Sequence, residues 1–239
     1  MILTVALGAG SVLIMVGKPV LLRLGLQKCA AARSSAFGFA CKVTASTLFC
    51  LAGISAAAQQ ERLRFRAAGM LLAFCCALVG DILLAMGPLL HSEEYKTFLY
   101  LLGGGPFLLS QLCYTATFLS LARLRLWLLP VILMLPLLVG ILWGAKALRM
   151  KAEGIAVLVY AGALSAMVMA AVNLALDGGM LGRLVLPAAL LFAASDTALF
   201  LANLGAPKVK AWLERQFTVC VMLPYYLAQA LFAATLMYL

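Results

Sequence analysis

Eight apolar runs follow one another along this chain with only short polar connections, near residues 1–22, 36–57, 67–87, 97–120, 126–145, 155–176, 184–204 and 217–239. Each is close to the ~20 residues that a helix needs to cross a bilayer. Backbone surrounded by hydrocarbon must satisfy its own N–H and C=O groups, so runs of this length predict helices. The chain is 66% hydrophobic and 11% charged, which is more apolar surface than a water-facing core can hide. The expected fold is therefore all-α: one polytopic transmembrane bundle over residues 1–239, with the lipid bilayer as its solvent. The connections leave no room for a soluble domain, so chemistry is expected within the bundle or at its surface.

The net charge of +10 lies in the connections, where basic residues set topology and meet lipid headgroups, so no nucleic-acid partner is implied. With Lys42 set aside, the first, third, fifth and seventh loops and their flanks hold eleven Lys/Arg, among them Lys28, Arg149 and Lys151. The opposite side holds six, including Arg62, Arg64 and Arg66. The positive-inside rule then puts both termini outside the cytoplasm. No basic leader or cleavage pattern marks the first run, so a retained helix is expected there. The seven cysteines (29, 41, 50, 75, 76, 113 and 220) lack metal-ligand spacing and read as small apolar residues, the adjacent Cys75 and Cys76 included. His91 is the single histidine, too few for a histidine-built metal centre, and no metal or organic cofactor is expected.

Against this background two acids stand out. Asp81 and Asp196 are the only acidic residues inside the long apolar runs, in the contexts Val79-Gly80-Asp81 and Ala194-Ser195-Asp196. A carboxylate at mid-span costs roughly 2.5 to 3.5 kcal/mol on insertion scales, so such an acid is read as a functional group facing the protein interior. Counting ~1.5 Å per residue from the nearest span end places Lys42 and Asp81 at ~9 Å, Asp196 at ~12 Å and Tyr225-Tyr226 at ~12 to 14 Å from the side of the odd-numbered loops. Four helices thus bring costly side chains to one layer beneath one leaflet. Pro224 is expected to loosen and bend the last helix there.

The aspartates lie on the third helix of each four-helix half, and each is followed by a helix with Gln and Tyr: Gln111 and Tyr114, then Gln229 with Tyr225 and Tyr226. A weak 4+4 parallel duplication is one expectation from this spacing. Bland roles stay open for each residue. The Gln and Tyr side chains would equally serve as interhelical hydrogen bonds, Lys42 would equally snorkel, and the acids would equally form a structural ion pair with Lys42. Gly103-Gly104-Gly105 has no P-loop lysine beside it and reads as a close-packing surface. Tyr160 and Asn173 stay ambiguous.

These same residues resemble the YhhN family of lysoplasmalogenases. The resemblance is carried by Leu78-Val79-Gly80-Asp81, by Phe107 through Tyr114, by Leu190 through Asp196, and by Tyr225-Tyr226-Leu227-Ala228-Gln229, with Lys42 at the position of a family lysine. Two positions depart from the pattern: Val43-Thr44 where the family usually has Pro, and Gln111 where it usually has His. Glutamine does not titrate, so any proton-shuttling role of that His is absent or moved here.

The resemblance implies hydrolysis of the vinyl-ether bond of a lysophospholipid, giving a fatty aldehyde and a glycerophospho-alcohol. That chemistry needs one carboxylic acid to protonate the β-carbon and one carboxylate to steady the oxocarbenium ion or activate water, the two-acid logic of glycosidases. Asp81 is expected as the acid and Asp196 as the carboxylate, because Ser195 and Thr197 offer Asp196 hydroxyl donors. Lys42 would take the substrate phosphate, and Gln111, Tyr114, Tyr225, Tyr226 and Gln229 would orient substrate or water. A proton-coupled transporter uses the same parts and is the alternative. The expected membrane is that of the endoplasmic reticulum for a eukaryotic source and the inner membrane for a bacterial one.

Overall fold

The computed structural model describes residues 1–25, 31–59, 64–90, 92–146, 148, 150 and 154–239. His91, Cys29 and the loop charges Lys28, Arg62, Arg149 and Lys151 lie outside the described residues. The chain is all-helical as expected: α1 (Ile2–Gly25), α2 (Ala31–Ala57), α3 (Arg64–Met86), α4 (Glu93–Leu119), α5 (Met134–Gly144), α6 (Gly154–Ala175), α7 (Met180–Leu204), α8 (Pro207–Arg215) and α9 (Leu223–Thr235). A 3-10 segment, Leu126–Leu133, leads into α5, and a π-helical turn, Thr218–Met222, leads into α9. Among the described residues the only extended pairing is an isolated bridge between Leu148 and Gly205.

Among the described residues six stretches are long and apolar enough to cross a membrane: Ser35–Ala57, Arg66–Leu89, Leu126–Gly144, Gly154–Ala175, Met180–Leu204 and Thr218–Tyr238. This is two fewer than the sequence count. The described apolar part of the first run, Ile2–Gly17, is short. Helix α4 has 27 residues, but Glu93, Glu94, Lys96, three glycines, Pro106, Ser110 and Gln111 dilute its apolar character. The helix formed by Leu126–Gly144 leaves Leu126, Trp127, Leu133, Leu137 and Ile141 exposed, a surface suited to lipid and unsuited to water.

Two compact units make up the chain: Met1–Ser110 with Gln229–Leu239, and Gln111–Ala228. Their boundaries fall inside α4 and α9 rather than between helices, so they do not coincide with the 4+4 halves expected from the sequence. In the first unit, α3 and α4 approach closely because small residues face each other. A Cβ on Gly80 would stand 2.7 Å from the Phe107 ring, and one on Gly103 3.1 Å from Leu84. Gly104 and Gly105 meet nothing, so one glycine of the three carries the close packing. Phe49 and Phe74 tie α2 to α3 with ring centroids 5.9 Å apart.

The second unit gathers α5, α6, α7, α8 and the end of α4. The α5 N-terminus lacks a side-chain cap of its own, and the Leu135 N–H instead donates to Ser165 Oγ on α6 at 3.2 Å. Asn173 has a structural role: its Oδ1 accepts from the Arg125 N–H at 3.0 Å, while Arg125 Nη1 reaches the Asn173 carbonyl at 2.9 Å and Nη2 reaches Asp177 at 2.7 Å. The start of the 3-10 segment is thereby locked to the end of α6.

Candidate functional site

In the first unit the costly residues of α2 and α3 meet. Lys42 Nζ lies 3.1 Å from Asp81 Oδ1, and Ser46 Oγ, one turn after Lys42, donates to Asp81 Oδ2 at 2.7 Å. Lys42 and Ser46 are i and i+4 on α2, so one face of one helix supplies both partners. Both ends of the pair are out of solvent, with side-chain exposures of 11% for Lys42 and 2% for Asp81. Gly80 lets the Phe107 ring of α4 come close to α3 at the residue before the acid. The lysine ammonium is thus an ion-pair partner of Asp81.

In the second unit Asp196 is held by α4 and α6. Gln111 Nε2 donates to Asp196 Oδ2 at 3.0 Å, and the Tyr160 hydroxyl donates to the same oxygen at 2.5 Å. One turn away on the same two helices, Tyr114 meets Phe192 edge-on at 6.4 Å. Since Gln111 and Tyr114 are i and i+3 and Asp196 and Phe192 are i and i−4, an antiparallel α4–α7 register aligns both contacts. Tyr114 also stacks on Phe118 at 5.9 Å, and Tyr225 packs edge-on against Phe192 at 5.6 Å and Tyr226 at 4.9 Å. Tyr114 and the tyrosine pair are thus part of a buried aromatic cluster around Phe192, one turn from Asp196 on α7.

Ser195 differs from its expected part. Its hydroxyl donates to the Val221 carbonyl at 2.8 Å, within the π-helical turn. The turn itself sits where Pro224 was expected to disturb the helix, since a proline has no N–H to give the carbonyl four residues back. Ser195 satisfies a carbonyl of that loosened backbone, so its hydroxyl is committed to the main chain rather than to the Asp196 carboxyl. Gln229 is fully buried on α9 in the first unit.

Tyr160, which like Asn173 is ambiguous in the sequence, is a hydrogen-bond partner of Asp196. A signal existed: it lies five residues into the predicted 155–176 span, ~8 Å from the odd-loop side by helical rise, in the layer already holding Asp81 and Lys42. No group of three or more His, Cys, Asp or Glu side chains able to hold a metal occurs among the described residues. What the two clusters offer is acid/base chemistry: a lysine-paired carboxylate in one, a carboxyl held by an amide and a phenol in the other.

No curated protein and no solved structure matches the chain. The pattern of the YhhN family matches residues 39–236, a stretch that takes in Lys42, Asp81, Gln111, Tyr160, Asp196 and the Tyr225-Tyr226-Leu227-Ala228-Gln229 segment. The chain is a member of the YhhN family.

Proposed function

We propose that this protein is a lysoplasmalogenase-like hydrolase that cleaves the vinyl-ether bond of a lysophospholipid to a fatty aldehyde and a glycerophospho-alcohol. The observation that carries the reading is the pair of buried intramembrane carboxyls with unlike partners, in a member of the YhhN family. Hydrolysis begins with a proton delivered to the β-carbon of the enol ether, which leaves an oxocarbenium ion at the carbon bearing oxygen. Water adds to that carbon, loses a proton to a base, and the hemiacetal collapses to aldehyde and alcohol. Asp81, paired with Lys42, serves as the carboxylate that receives the proton of water. Asp196 then serves as the proton donor, which reverses the assignment expected from sequence. Tyr160 and Gln111 are positioning residues that hold its Oδ2. In this reading α1 and α4 also cross the bilayer, giving eight spans.

Purified protein incubated with a lysoplasmalogen and with its ester-linked counterpart should release aldehyde from the first alone. Absence of aldehyde from both would defeat the reading. The buried Lys42–Asp81 pair also supports a second function, a proton-coupled transporter. In sealed liposomes that function would move a solute down an imposed pH gradient with no aldehyde formed.

A further inference from the structure

The carboxamide of Gln111 has one end in use and one end idle. Nε2 donates to Asp196 Oδ2 at 3.0 Å, whereas Oε1 is buried and, among the described residues, has no donor. A flip would set Oε1 against Oδ2, the oxygen that accepts from the Tyr160 hydroxyl, which is acceptor to acceptor as long as the acid proton sits on Oδ1. The other donor of the cluster, the Tyr160 hydroxyl, is already committed to Asp196. A buried acceptor without a donor costs about 1 to 3 kcal/mol. Gln111 is fully buried, so the surrounding protein and not solvent governs what reaches that atom. The cluster is not sealed: Asp196 keeps 8% of its surface exposed and Tyr160 is half-buried.

We propose that Gln111 Oε1 accepts a hydrogen bond from the hydroxyl on the carbon adjacent to the ether-bearing carbon of a glycerolipid, and so selects a substrate with one chain. This rests on the hydrolase reading and specifies it. Around the scissile bond the ether oxygen and the phosphate oxygens are acceptors only, and a choline headgroup has no N–H. The hydroxyl at the second glycerol carbon is therefore the donor such a substrate brings. An acyl or alkyl group there would remove the donor and confront Oε1 with a second acceptor.

The test compares two choline alkenyl-ether lipids, one with the second-carbon hydroxyl and one with hydrogen in its place. With wild-type protein the hydroxyl substrate should have the higher kcat/KM by about tenfold to a hundredfold, the factor that corresponds to one buried hydrogen bond. Gln111→Met should lower kcat for both, since Asp196 loses its amide partner, and should shrink the ratio to within about threefold. Equal kcat/KM for the two substrates with wild-type protein, or an unchanged ratio in Gln111→Met, would overturn the inference and leave the hydrolase reading standing. The wild-type comparison needs no variant to fold. If wild-type protein hydrolyses neither lipid, the function falls, and binding decides the inference. The saturated 1-O-alkyl choline lipid should then raise the unfolding temperature of wild-type protein more than its 2-deoxy counterpart does, and equal shifts would overturn it.

Discussion

Lys42→Met isolates the electrostatics of the first cluster. At 3.1 Å and an effective dielectric of ~20, the attraction between Lys42 and Asp81 is about 5 kcal/mol. Methionine keeps most of the aliphatic stem that packs along α2, so the loss is chiefly that of the charge. Asp81 keeps the Ser46 hydrogen bond, worth about 1.5 to 3 kcal/mol to a charged group, and has no way to reach water from its 1% exposure. Removing one partner of a buried pair costs about 3 to 5 kcal/mol, because the other is left uncompensated, and that is the loss expected here. Asp81→Asn in the Lys42→Met background removes the stranded charge, so the double variant should regain at least about 2 kcal/mol over Lys42→Met. The assay is reversible unfolding in mixed micelles, run as a double-mutant cycle. A Lys42→Met protein within about 1 kcal/mol of wild type, or strictly additive effects, would show that the pair is not an energetic unit.

Asp196→Asn should lower kcat for aldehyde release by about 10² to 10⁴-fold while the protein still inserts and folds, since the amide keeps an acceptor for Tyr160 but cannot cycle a proton; kinetics on folded, purified variant decide it. Tyr160→Phe should lower kcat by about tenfold to a hundredfold with KM little changed, a split that a purely structural ring would not produce. Gly80→Ala should destabilise the protein by about 1 to 3 kcal/mol in the same micelle assay, because its Cβ would sit 2.7 Å from the Phe107 ring.

Much of the first cluster was legible in the sequence. Lys42 and Asp81 each lie six residues from the odd-loop end of their spans, and two neighbouring antiparallel helices with equal depths bring such residues side by side. An acid and a base in hydrocarbon have a strong reason to meet, so depth counting together with charge is enough. Pro224 likewise announced a disturbed helix, because the missing N–H is a local fact of sequence. The glycine at position 80 was quoted only as part of a motif, and its packing duty against Phe107 depended on a partner far along the chain.

The second cluster was harder for reasons that are also physical. By the same counting Gln111 lies ~21 Å into its predicted span and Asp196 ~12 Å, yet their side chains are hydrogen bonded at 3.0 Å. A span end read from hydropathy is not a fixed depth: α4 begins at Glu93, and helices of unequal length and tilt do not share an origin. Charge gives a partner away at a distance, whereas a neutral amide or phenol declares nothing until the register of two helices is known. That is why the sequence points to Ser195 and Thr197, the neighbours of Asp196, whereas Tyr160, 36 residues away, donates to its carboxyl and Ser195 donates to Val221. On a helix, adjacent residues point about 100° apart, so the neighbour in sequence is among the least suited to reach the same ligand, and the donors to an intramembrane carboxyl should be sought one helix over.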